Sequence, residues 1–94
     1  MSAFPFIRKI IMKDKIEKFC VENEIDVLFA DGFDDAIIGV GRSFDKYKVI
    51  YDKSKVIKKL MEDMTCEEAE EYFEYNIIGA YVGDGTPMFL EELE

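Results

Sequence analysis

Along residues 65–80, apolar and acidic positions alternate with a helical period. Ala69, Tyr72, Phe73, Ile77 and Ala80 recur at spacings of three and four, so they share one helix face. Glu67, Glu70, Glu71 and Glu74 recur at the same spacings and share the opposite face. At about 100° per residue the glutamates fall within a stripe roughly 100° wide. Thr65 is placed as N-cap, its hydroxyl accepting a first-turn N–H, and Glu68 three residues on can reach back to complete a capping box. Two features disturb the pattern. Asn76 falls in the middle of the apolar face, and Ile78 and Tyr81 fall on the acidic side. The helix is therefore expected to end or bend between Asn76 and Gly79, with Gly79 as the stop.

The rest of the chain supplies the layer beneath this helix. Ile7, Ile10 and Ile11, then Ile16, Phe19 and Cys20, keep helical spacing over residues 1–24, and Pro5 suits a first turn. Asp14 could open a second helix, so one helix or two both fit. Residues 25–30, 36–41 and 47–51 are short, apolar and β-prone, which predicts three strands. Residues 31–35 form a turn between the first two, 42–46 link the next pair, and Gly39 leaves room for a bulge. Short links between consecutive strands make an antiparallel meander the simplest pairing. Asp52 or Ser54 then caps a helix to about Met64, with Val56, Ile57, Leu60, Met61 and Met64 as its inner stripe and Lys55, Lys58 and Lys59 outside. It is expected to meet the acidic helix at a sharp corner with almost no loop. Residues 80–82 read as a short strand or extended tail, Gly83 to Pro87 as a turn, 88–90 as a last short strand, and 91–94 as a fraying end. The expected fold is one α+β domain over 1–94, a small antiparallel β-meander with helices packed on one side.

Composition narrows the function. Hydrophobic residues make up 49% of the 94, with eight Phe and five Tyr, which is incompatible with disorder. No apolar run approaches the roughly 18 residues of a membrane span and nothing resembles a secretory signal, so a soluble protein of the cytoplasm is expected. Histidine is absent, which removes Ser-His and Cys-His catalytic pairs and the common zinc sets. Cys20 and Cys66 lie far apart outside any CxxC pattern and are expected as reduced, partly buried thiols, with a disulfide or a reactive thiol as the alternative. The net charge of −9 is unevenly placed: residues 65–94 hold nine acidic groups and no basic one, and the last cation is Lys59. Such a surface repels nucleic-acid phosphates and attracts basic partners.

Four segments occur together in a characteristic order: Gly32-Phe33-Asp34-Asp35-Ala36-Ile37-Ile38-Gly39, Val49-Ile50-Tyr51-Asp52, Met64-Thr65-x-Glu67-Glu68-Ala69 and Asn76-x-x-Gly79-Ala80-Tyr81-Val82-Gly83. In these, about residues 25–89 resemble a group of small uncharacterised proteins from bacteriophage genomes and prophages. The resemblance implies an origin and a location inside a host cell rather than a chemistry. By analogy it points to action on host machinery, including restriction and CRISPR defence.

Each chemical candidate has a plainer counterpart. Asp31, Asp34 and Asp35 beside Gly32 could hold a hard cation such as Mg²⁺ or Ca²⁺, and so seat a small enzyme or ligand-binding domain. The spacing is not that of an EF-hand loop, and Asx-turn chemistry accounts for it without a ligand. Gly39 to Ser43 and Gly79 to Gly85 lack the strand–loop–helix order of a phosphate loop and read as turns. Glu67, Glu70, Glu71 and Glu74 lack the cleft that a catalytic carboxylate needs. They form either a solvated stripe or a docking face for a basic host protein, on which they could imitate a run of phosphates. Asn76 is expected to tie the helix end to its surroundings. No catalytic residue and no cofactor is assigned, and no nucleic acid or membrane is expected as partner. A homo-oligomer through residues 4–20 is the remaining alternative.

Overall fold

A single 20-residue helix, α1 (Ala3–Glu22), runs through Asp14 without a break. An interior Asp costs only a few tenths of a kcal/mol, too little to divide the helix. The computed structural model describes residues 3–80, 83 and 85–93, with side chains from Met12 onward. Ile16 and Cys20 are buried, so α1 docks through its second half. Its end is a Schellman turn: the Ile25 N–H donates to Cys20 O at 2.8 Å and the Glu24 N–H to Val21 O at 3.3 Å. Glu24 occupies the left-handed position of that turn at φ 53°.

The sheet begins after a 3-10 turn, Asp34–Ala36. Strand β1 (Ile37–Ser43) pairs antiparallel with β2 (Lys46–Asp52) through a two-residue loop, and its register shifts between Ile37 and Gly39. That bulge is where Gly39 left room for one, and it turns Ile38 outward. Strand β3 (Met88–Leu90) lies on the other side of β2 and runs parallel to it, giving the order β1-β2-β3. The protein is thus α+β with a mostly antiparallel sheet.

The strand expected at 25–30 is not part of this sheet. In a meander it would have paired with β1, which instead forms an edge of the sheet. Its backbone is satisfied elsewhere: the Leu28 N–H donates to Gly85 O at 3.2 Å and the Ala30 N–H to the Tyr51 hydroxyl at 2.7 Å. Ile25, Val27 and Phe29 still turn inward against the core.

Side chains alternate along β2. Val49 and Tyr51 are fully buried and meet Ile16, Cys20, Val56, Ile57, Ala69 and Phe73 in one cluster. Phe89 of β3 stacks on Tyr51 at 5.5 Å and meets Phe73 edge-on at 5.1 Å, which ties sheet to helix.

Helix α2 (Lys53–Leu60) is capped by Asp52, whose carboxylate accepts the Ser54 N–H at 3.0 Å. It ends four residues earlier than expected. Glu62 N–H to Lys59 O and Asp63 N–H to Leu60 O close tight turns over residues 59–63, and Met61 is exposed rather than part of the inner stripe. A short connection, not a loopless corner, therefore leads to α3 (Cys66–Tyr72).

Candidate docking surface

Helix α3 carries both halves of the capping box: Thr65 Oγ1 accepts the Glu68 N–H at 3.2 Å, and Glu68 Oε1 accepts the Thr65 N–H at 2.9 Å. Ala69 and Phe73 are buried, which fixes the inner face. Glu67, Glu70, Glu71 and Glu74 are all exposed on the outer one.

Past Tyr72 the helix changes pitch to a π segment, Phe73–Ile78. Bonding from i to i+5 winds the chain more slowly, roughly 80–85° per residue against about 100° in an α-helix. The slower winding resolves the clash in the sequence pattern. Continued α-helix would have driven Asn76 into the core and left Ile77 at its margin. In the π segment Ile77 packs on the core and Asn76 is exposed. Asn76 therefore does not tie a buried helix end. Gly79 ends the segment in a right-handed conformation, where a Cβ would stand 3.0 Å from Tyr75 O. A close backbone approach, not a positive φ, is what calls for glycine there.

Large side chains stand outside along this stretch, including Tyr72 at the end of α3, which the spacing placed on the inner face. Tyr75 is 79% exposed, and Tyr72 and Ile78 are 44% and 48% exposed. The outer surface is thus a carboxylate field interleaved with aromatic and aliphatic groups. The sequence pattern shows part of this surface as Ile78 on the acidic side, and Tyr81 lies outside the described residues.

The four glutamates are not equivalent. Lys53 Nζ stands 3.0 Å from Glu91 Oε2 and 3.7 Å from Glu70 Oε1, and 5.3 Å from the centre of the Phe73 ring. The hydrogen bond to Glu91 raises the Lys53 pKa, against the opposing effect of burial, with the charges of Glu70 and Glu74 adding to the rise. Lys53, Ser54, Ile57, Glu70, Glu91 and Glu92 line a shallow cavity of about 260 Å³. Glu70 is thereby engaged within the protein. Glu67, Glu71 and Glu74 form no ion pair among the described residues.

Asp31, Asp34 and Asp35 serve the turn that precedes β1. Asp34 pairs with Lys13 of α1 at 3.6 Å. Among the described residues no three His, Cys, Asp or Glu side chains gather as a metal would require. The charges of Asp34 and Asp31 add to burial in raising the pKa of the Tyr51 hydroxyl, which the Ala30 N–H partly offsets. Gly39 and Gly41 lie within β1, not in a phosphate-binding loop. Cys20 is a buried free thiol and Cys66 an exposed one. No helix among the described residues is long and apolar enough to cross a membrane.

Against known proteins, the chain matches no family model, no curated protein and no solved structure.

Proposed function

We propose that this chain is a non-enzymatic phage-type accessory protein, acting in the host cytoplasm, that docks a basic host protein on the outer face of α3 and the π segment. The observation that carries the proposal is the mixture of groups there. Glu67, Glu71 and Glu74 are exposed and form no ion pair among the described residues, and Tyr75 beside them is 79% exposed. A face that served solubility alone would need only the charges. Exposed tyrosines cost hydration and are enriched where proteins meet, because they supply contact area with little side-chain entropy to lose. Carboxylates around them steer a basic partner and set its orientation, while the aromatic groups supply most of the affinity. A host protein whose cationic surface grips nucleic-acid phosphates fits this description, and blocking such a surface would blunt a host defence.

The test is capture from host lysate on the immobilised chain, at about 0.1 M and about 1 M salt, where the Debye length falls from about 10 Å to about 3 Å. A protein retained by the native chain should be released at high salt. It should be absent from captures with Glu67→Gln/Glu71→Gln/Glu74→Gln and with Tyr75→Ser. The same proteins retained by native and variant chains alike would refute the docking face.

A further inference from the structure

The sheet has a second face that the helices do not cover. Tyr47, Val49 and Tyr51 point to the core side, so Lys46, Lys48, Ile50 and Asp52 point to the other. The pairings Gly39 with Ile50 and Gly41 with Lys48 place both glycines of β1 on this open side. Met88 opposite Ile50 and Leu90 opposite Asp52 complete it, 47% and 53% exposed. A Cβ on Gly39 would meet nothing within 4 Å, and a Cβ on Gly41 would meet only the Ile50 and Met88 side chains. Among the described residues no element lies over this surface. A cavity of about 210 Å³ opens on it between Gly41, Lys48, Ile50 and Met88.

The order of charge along this face is self-complementary. From the hairpin tip it reads cation, cation, apolar, anion at Lys46, Lys48, Ile50 and Asp52. A two-fold axis through Ile50 maps position 48 onto position 52. Two copies laid face to face with their β2 strands antiparallel would set Lys48 of each opposite Asp52 of the other, whose Oδ1 caps α2 and whose second oxygen takes the lysine, with Ile50 and Met88 between and Leu90 beside Asp52. The open space over Gly39 allows the layers to approach closely, while the Ile50 side chain already covers Gly41. Beyond the ends of the sheet, Phe44 at the hairpin tip is 92% exposed and Leu93 after β3 is 89% exposed. The same axis brings those opposite ends together.

We infer that the uncovered sheet face is a two-fold homodimer interface, formed by Lys48, Ile50, Asp52, Met88 and Leu90 of each copy. The contact is isologous, so it closes at two copies. Two strands of seven residues and one of three, about 4.8 Å apart and rising about 3.3 Å per residue, offer roughly 250 Å² of projected area. A standard stable interface buries about 800 Å² per partner, so this dimer forms at micromolar to millimolar concentration rather than nanomolar. It uses neither residues 4–20 nor the acidic face, and it does not depend on the docking proposal.

Sedimentation equilibrium of the whole chain, from about 10 µM to about 1 mM, reads the inference directly. The native chain should pass from monomer to dimer and stop there, with the transition moved to higher concentration by about 1 M salt. Gly39→Lys adds a side chain where the monomer has open space, so the fold is kept and the close approach is lost. This variant and Met88→Lys should remain monomeric, with unchanged circular dichroism. Tyr75→Ser should dimerise as the native chain does. A native chain that stays monomeric throughout, growth beyond two copies, or a Gly39→Lys variant that dimerises normally would overturn the inference.

Discussion

At the residue scale, three side chains carry distinct burdens. Phe73 is 1% exposed and joins α3 to β3 through Phe89, so Phe73→Ala should cost about 3–5 kcal/mol, from lost burial plus the cavity left behind. Thr65→Ala removes only a cap and should cost about 0.5–2 kcal/mol, and Thr65→Ser should cost little. Tyr51 is buried with its hydroxyl accepting the Ala30 N–H, so Tyr51→Phe keeps the ring and strands a backbone donor, at about 1–3 kcal/mol. Denaturant unfolding of the four variants gives the order. pH adds a further check. Burial raises the pKa of Cys20 and of Tyr51, and the hydrogen bond to Glu91 raises that of Lys53, from ordinary values of 9.0, 10.0 and 10.5. Each folded-state group holds its proton more tightly than the unfolded one. The stabilisation is therefore complete below the ordinary value and is lost as pH rises through the folded value. Unfolding free energy should be level from pH 7 to about pH 9 and fall beyond it. A rise between pH 9 and 11 would contradict these assignments.

At the element scale, two turns hold residues in conformations they disfavour. Glu24 at φ 53° closes the Schellman turn of α1, and Phe44 at φ 57° opens the β1–β2 hairpin, where the Arg42 Nε–H donates to Phe44 O at 2.7 Å. Left-handed backbone costs about 1–2 kcal/mol for a residue with a Cβ. Glu24→Gly should therefore raise stability by about 1 kcal/mol, checked by thermal unfolding; a loss would mean the Glu24 side chain has a role of its own. The pitch change after Tyr72 makes an opposite pair. Asn76→Ala should be within about 0.5 kcal/mol of neutral, since Asn76 is exposed, while Ile77→Ala should cost about 2 kcal/mol. The reverse order would mean that the α-helix continues. What was legible beforehand was local. Thr65 with Glu68, and the period of the four glutamates, rest on i+3 and i+4 contacts that the sequence displays. Neither Glu nor Phe advertises a left-handed turn. The parallel pairing of β3 with β2 joins positions about forty residues apart, so no window of sequence contains it. The π segment depends on Phe73 and Ile77 both reaching the core, which only the tertiary packing decides.

At the scale of the whole molecule, charge and shape divide the surface. All twelve cations lie before residue 60, and among the described residues Lys53 is the cation paired with the acidic face, shared between Glu70 and Glu91. Replacing Glu67, Glu71 and Glu74 by Gln should leave stability level or slightly higher, because like charges three and four residues apart repel. The proposed docking face is then separable from the fold, which allows the proposal to be tested without unfolding the protein. The most direct measurement is photo-crosslinking in host cells, with a benzophenone amino acid in place of Tyr75 and, as control, in place of Lys58 on α2. The expected result is a discrete adduct to a basic host protein from the Tyr75 position alone, lost when Glu71→Gln and Glu74→Gln are added. Identical adducts from both positions, or an adduct indifferent to the glutamates, would contradict an acidic-aromatic docking face.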